Sequence, residues 1–211
     1  MPRPSHAAAT AELALRDPVI ARLAELAGPI KLRARNADGP FGALARAIVF
    51  QQLAGRAALA IHGRFRALVD GPLTPVAVLA LPDEALRGAG LSAAKAASVR
   101  DLATKVVDGT VVLTGTGRLS DDEIIARLVQ VRGIGRWTAE MFLLFELRRL
   151  DVWPVDDLGV RMGYAFAWGV DPAPTAKQLQ PLGDPFRPYR SVAAWYCWRA
   201  VDLQRNGVTP R

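Results

Sequence analysis

The chain has 211 residues, of which 51% are hydrophobic, and carries 27 Lys and Arg against 20 Asp and Glu for a net charge of +7. That apolar content suffices for one substantial core or two small lobes, and the basic surplus favours polyanionic partners. A single cysteine, Cys197, excludes an internal disulfide framework and any four-thiolate zinc or iron–sulfur site built from this chain alone, while His6 and His62 make no metal cluster, so neither metal nor cofactor is expected.

The N-terminal MPRPSHAAATAELALRDP lacks the long apolar core of a signal peptide, and no stretch approaches the ~20 apolar residues of a membrane span. A soluble, cytoplasmic protein with no membrane partner is the expectation. Apolar residues then recur at three- and four-residue spacing along most of the chain, as in AELALRDPVIARLAELAG (11–28) and FGALARAIVFQQLAGRAALAIHGRFRALV (41–69), which read as helical. The second stretch loses phase around Leu53 to Gly55, where a break is predicted. LPDEALRGAG (81–90) reads as a short helix stopped by glycine, and LSAAKAASVRDLATKVVDG (91–109) as a helix capped by Ser92 and ended by Gly109. Residues 109–119, GTVVLTGTGRL, are the least helical and fit either a loop or a short strand pair. SDDEIIARLVQ (120–130) opens with Ser120 and carries Glu123 three residues on, a capping box. Further helices are predicted over 135–150, 156–169 and 188–204. The reading is all-α, with about ten helices and no repeats or low-complexity linker.

Between two of these helices lies VRGIGRWTAE (131–140), with Gly133 and Gly135 around Ile134. A glycine at each position permits positive φ and close approach of another backbone, while Val131 and Ile134 supply apolar plugs. Amides at the start of the second helix form an anion site, and Arg132 and Arg136 add charge beside them. A bare Gly-x-Gly is more often an ordinary tight turn; the longer pattern VRGIGRWTAEMFLLF is more specific. It resembles the helix-hairpin-helix motif of the DNA glycosylase superfamily, which pairs this hairpin with a downstream aspartate.

Such an aspartate is present. In DVWPVDDLGVRMG (151–163), Pro154 ends an extended approach and Asp156 and Asp157 open a helix. Asp156 can act as the cap, leaving Asp157 to project from the first turn. The superfamily sets an apolar residue three positions after its catalytic aspartate, and Val160 puts Asp157 in that role. The PVDD segment is similar to that of the bacterial 3-methyladenine DNA glycosylase II family. The resemblance implies that Asp157, held ionised by the helix dipole, stabilises an oxocarbenium-like sugar as the glycosidic bond breaks.

Further assignments follow from the same resemblance. Bifunctional relatives carry a lysine two residues after the second hairpin glycine. This chain has Trp137 there, which removes the amine nucleophile and leaves hydrolysis by water, and which matches an aromatic position for stacking on electron-poor alkylpurines. PYRSVAAWYCWRAVDL (188–203) resembles the family's last helix and puts Trp198 at a second pocket position, although core packing explains Trp195, Tyr196 and Trp198 as well. Tyr164, Phe166 and Trp168 read as core. Leu158 stands in the pocket where the family often has an aromatic. Arg132, Gly133, Gly135, Arg136 and Thr138 are the expected DNA-backbone contacts. FQQLAGRAA (50–58) resembles the segment whose side chain fills the hole left by a flipped base, which makes Leu53 the wedge with Gln52 beside it. GLSAAKAASVRDLA (90–103) matches a Gly-Leu-Ser-x-x-Lys-Ala pattern, in which Lys95 is either a surface residue or a partner of the backbone, with no catalytic role.

The resemblance runs from about residue 17 to residue 204 and implies a compact form without the family's N-terminal β-rich domain. Two helical lobes flanking a cleft are implied, residues 39–150 in one and both chain ends, 1–38 and 151–211, in the other, with the hairpin and Asp157 meeting across the cleft. The implied protein is a monomeric, monofunctional glycosylase acting on damaged bases in double-stranded DNA in the bacterial cytoplasm, at the nucleoid. Two other readings stay open: the same chemistry on etheno, deaminated or mismatched bases, and a non-catalytic protein that uses the hairpin as a phosphate clamp.

Overall fold

The computed structural model describes residues 4–209. Its elements, in chain order, are α1 (His6–Arg16), α2 (Pro18–Ala27), α3 (Gly39–Phe50), α4 (Gly55–Arg66), α5 (Pro75–Ala80), α6 (Asp83–Gly88), α7 (Ala93–Val107), α8 (Asp121–Leu128), α9 (Arg136–Phe145), α10 (Leu158–Trp168), α11 (Ala176–Leu182) and α12 (Arg190–Arg205), with 3₁₀ turns at Thr116–Arg118 and Asp184–Phe186. No strand occurs among the described residues, so the all-α reading holds. The twelve α-helices exceed the expected ten or so because α5 and α11 are six and seven residues long, too short for periodicity to reveal. Residues 109–119 are loop with a single 3₁₀ turn entered through a left-handed Gly115.

The chain divides into two compact units, Ala34–Glu146 and a second built from the chain before Ala34 together with the chain after Glu146. These boundaries lie a few residues before the expected 39 and 150.

The central unit is assembled from capped helices around a core that includes Leu44, Ile48, Phe65, Leu86, Leu102, Leu128 and Leu143, all buried. Each fully buried leucine contributes about 2 kcal/mol of transfer free energy. Ser92 caps α7 by accepting from the Lys95 N–H, and Ser120 and Glu123 close the capping box of α8. The break after α3 falls at 51–54, where Gln52 takes φ 55°, a left-handed conformation that a helix does not admit. Contrary to the prediction of a helix to residue 150, α9 stops at Phe145. The buried Glu146 turns its carboxylate onto the Asn36 N–H (3.1 Å), and Arg148 adopts φ 57°. Both divert the backbone from the helical path.

The unit formed by the chain ends packs α1, α2, α10 and α12 around Leu13, Ile20, Leu23, Val160, Val192 and Tyr196. The stretch 11–28, read as helical, is divided between two helices. Pro18 has no N–H to continue α1, and Asp17 becomes the cap of α2, accepting from Ile20 N–H at 2.9 Å and from the Trp168 indole at 3.1 Å. Tyr164 stacks on Trp168 at 4.5 Å between ring centroids, and both pack into this core, as read from the sequence. Helices α10 and α12 meet through glycine: a Cβ at Gly163 would lie 1.9 Å from the Cys197 carbonyl oxygen. Any side chain there forces the two helices apart. Cys197 is wholly enclosed, and burial, aided by the Asp157 and Asp17 charges, pushes its thiol far above the usual range, so it is a small apolar filler rather than a nucleophile.

Candidate active site

Asp157 is the N-cap of α10, with extended backbone (φ −75°, ψ 117°) and a carboxylate that accepts from the Val160 N–H at 2.9 Å. This corrects the assignment of the capping role to Asp156, which is exposed. The reason lies in the turn that precedes the helix: the Asp157 N–H donates to the Pro154 carbonyl, and the first helical residue is Leu158, so the cap falls one position later than the first acidic residue. Asp157 is only 9% exposed, and its carboxylate also accepts the Trp198 indole N–H at 2.9 Å. Two donors from segments 38 residues apart in sequence therefore converge on one oxygen, Oδ1. Such a carboxylate is held in one orientation, because rotating it would forfeit both bonds.

Trp198, expected as a stacking face for a base, is half-buried and turns its N–H to that carboxylate. What brings it there is Gly159, whose Cβ would stand 2.8 Å from Trp198 Cδ1 and 3.1 Å from Asp157 Oδ1. Gly159 and Gly163 thus form a bare strip on α10 against which α12 lies. The LGVRMG spacing was the available signal, and it is invisible to a search for charged or aromatic residues. Leu158, 64% exposed, and Met162 four residues on leave an apolar strip on α10 beside the capping aspartate.

In the central unit, the hairpin joins α8 to α9. Val131 and Ile134 are buried as plugs, and Gly133 takes φ 78°. Gly135 does not use the freedom expected of it: it is extended (φ −91°, ψ 173°) and serves as the N-cap of α9 with no side-chain cap. The first amides of α9 therefore have no partner within the helix and no cap competing for them. Thr138 has a buried side chain, so any role at this helix start belongs to its backbone N–H.

The two arginines are not equivalent. Arg136 donates from Nε to Oε1 of the buried Glu140 at 2.9 Å and stands 4.0 Å from Asp122, so much of its charge is spent inside the protein. Arg132 is exposed, with no ion-pair partner among the described residues, while its backbone N–H donates to Asp101 Oδ2 at 2.7 Å. Burial alone would raise the Asp101 carboxyl, but hydrogen bonds from Lys105 and the Arg132 N–H, with both positive charges, outweigh it and hold the carboxyl below its ordinary value. Trp137, on the first turn of α9, is 45% exposed. At 51–54, Gln52 is exposed and Leu53 is 37% exposed, which agrees with a solvent-facing loop rather than a core position.

Among the described residues no group of His, Cys, Asp and Glu is arranged to hold a metal ion, and no helix is long and apolar enough to cross a membrane.

Residues 45–188 match the model of the HhH-GPD superfamily base excision DNA repair protein. The chain is 37% identical over 186 residues to DNA-3-methyladenine glycosylase 1 of Schizosaccharomyces pombe, covering 86% of this chain and 82% of the relative. Two solved structures share the architecture. The S. pombe 3-methyladenine DNA glycosylase in complex with abasic DNA superposes with a TM-score of 0.80 at 36% identity, over 92% of this chain and 97% of the other. A DNA-3-methyladenine glycosidase from Bacillus halodurans gives 0.87 at 34% identity, over 95% and 92%. With its hairpin, its helix-capping aspartate and two thirds of its length matched, the chain belongs to the helix-hairpin-helix (HhH-GPD) superfamily of base excision DNA repair proteins.

Proposed function

We propose that this chain is a monofunctional DNA glycosylase that takes alkylated purines of the 3-methyladenine type out of duplex DNA and hydrolyses their N-glycosidic bond. The observation that carries the reading is the Asp157 carboxylate, nearly buried yet fixed by the Val160 and Trp198 N–H groups. Among relatives named for this activity, family membership supplies the reaction class.

As the C1′–N bond breaks, its electron pair leaves with the base, and positive charge builds on the sugar. Asp157 stabilises that charge without reorganising, since its orientation is already fixed. Water then adds to C1′ and passes its proton to the solvent, leaving a hydroxyl on the sugar beside the free base. Trp137 occupies the position at which an amine nucleophile would stand, so no Schiff base forms and the strand stays intact. An alkylated purine is electron-poor and already a weakened leaving group, which suits recognition by the exposed Trp137 indole. Trp198 acts on the carboxylate rather than on the base. The backbone of Gly133, Gly135, Arg136 and Thr138, with the Arg132 guanidinium, holds a DNA phosphate, and Leu53 with Gln52 fills the duplex after the base has left. The protein works as a monomer in the bacterial cytoplasm.

The test is release of free bases from methylated duplex DNA, separated by chromatography, by wild type and Asp157→Asn. Wild type should release 3-methyladenine, and the variant should release it at least about 10²-fold more slowly while still binding duplex. Equal release by both would remove Asp157 from the chemistry. Absence of release by wild type, with duplex binding intact, would leave a phosphate clamp or a different lesion.

A further inference from the structure

Lys95 lies in the first turn of α7, and its ammonium donates to two backbone carbonyls, Val49 O and Gln51 O, both at 2.7 Å. These carbonyls belong to the last turn of α3 and to the residue after it, where helical partners run out. Removal from water lowers the Lys95 pKa, and no carboxylate accompanies the ammonium in these bonds. A lysine committed in this way to two carbonyls is defining a backbone path, since an exposed ion pair would hold a side chain at far less desolvation cost.

The same helix holds the hairpin. Ser98, three residues further on, lies under Gly133, where a Cβ would come within 2.9 Å of its hydroxyl. Asp101, three further, accepts the Arg132 N–H at 2.7 Å. The two gripped segments are also joined directly: Gln51 Nε2 donates to the Gly133 carbonyl at 2.8 Å. One broad face of α7 thus carries, in order, the start of the 51–54 loop, the positive-φ glycine and the arginine amide of the hairpin. Directly after the segment held by Lys95 come Gln52 and Leu53.

We infer that Lys95 and Gln51 are positioning residues that set the spacing between the Leu53 wedge and the phosphate-holding hairpin, so that a phosphate bound at the hairpin brings the wedge into register with the base step to be opened. The inference rests on the glycosylase reading and on its wedge assignment. The step it serves is insertion, not bond cleavage, so its loss slows turnover without weakening general attraction to DNA.

The experiment uses the full chain as wild type, Lys95→Met, Lys95→Arg and Gln51→Ala. Two readouts are taken: kcat and KM for base release from methylated duplex, and fluorescence of 2-aminopurine flanking a tetrahydrofuran abasic analogue, which rises when the base step is unstacked. Lys95→Met should lower kcat at least about tenfold and blunt the fluorescence rise, because small misplacement of a working group is enough to do so. The salt dependence of binding to undamaged duplex should stay at the wild-type slope, since no phosphate contact is lost. Lys95→Arg, which keeps a donor to both carbonyls, should recover most of the rate. Gln51→Ala removes only the link to Gly133, from a half-buried side chain, and should lower kcat and fluorescence in the same direction; it decides the matter if Lys95→Met does not fold. Wild-type kcat and fluorescence in Gln51→Ala and in folded Lys95→Met would overturn the inference while leaving the glycosylase reading in place. No base release by wild type would overturn both.

Discussion

The hairpin and the Asp157 cap are both helix starts that present a polar feature, yet they are made in opposite ways. At the hairpin the polar groups are backbone amides at the start of α9, where Gly135 provides no side chain to cap them. At α10 the polar group is a side chain, and one of its two donors is Trp198, 41 residues away, on a helix brought close by glycines at 159 and 163. A backbone site tolerates most side-chain changes that keep its turn. A buried side-chain site depends on the packing of another helix, and small volume changes reach it.

That contrast can be broken most forcefully at Gly163. Alanine there puts a methyl group within 1.9 Å of the Cys197 carbonyl, so Gly163→Ala should cost about 3 kcal/mol in urea unfolding, at the upper end of overpacking effects. A loss below about 1 kcal/mol would show that α10 and α12 separate easily and that the cap is less dependent on packing than argued. Next in size, Trp198→Phe keeps an aromatic ring but removes the indole N–H from Asp157. A hydrogen bond to a charged group is worth about 1.5–3 kcal/mol, so kcat for base release should fall about tenfold or more with KM little changed. A raised KM at unchanged kcat would instead make Trp198 a base contact, as the sequence suggested.

The hairpin should respond more gently. Asp101 holds the Arg132 amide with a carboxyl that its hydrogen bonds keep below the ordinary carboxylate value. A depressed carboxylate contributes stability that is present above the unfolded value and lost as the pH falls through the folded one. Asp101→Asn should therefore lower stability by about 1 kcal/mol at neutral pH, with the gap to wild type closing below about pH 4; a gap constant with pH would show that the charge is not involved. Smallest of all, Arg132→Ala should shallow the plot of log K against log salt by about 0.9, the signature of one phosphate contact, whereas Arg136→Ala should change it less because Glu140 already neutralises that guanidinium. Equal effects from the two would mean that Arg136 leaves Glu140 when DNA binds.

Legibility followed the range of the interactions. Caps at Ser92 and Ser120, the break after Phe50 and the plugs Val131 and Ile134 were all readable, because each depends on neighbours within four residues. The misreadings share another cause. The helix over 135–150 was ended by Glu146 reaching Asn36, 110 positions away, and Arg136 was counted as free charge because the burial of Glu140 cannot be seen in a string of letters. The bond from Trp198 to Asp157 went unread because its single donor has a partner only when α12 lies on α10.

By itself, then, the sequence determined the all-helical class, the hairpin, the presence of an aspartate at a helix start and the absence of an amine at position 137. These are matters of residue type and short spacing, set by backbone sterics and local hydrogen bonding. Tertiary structure alone decided that the Trp198 indole donates to Asp157 and that Lys95 grips the backbone before Leu53. Each of those outcomes is a hydrogen bond between helices, and its partner is chosen by which surfaces pack together, a choice made by the whole core rather than by any window of the chain.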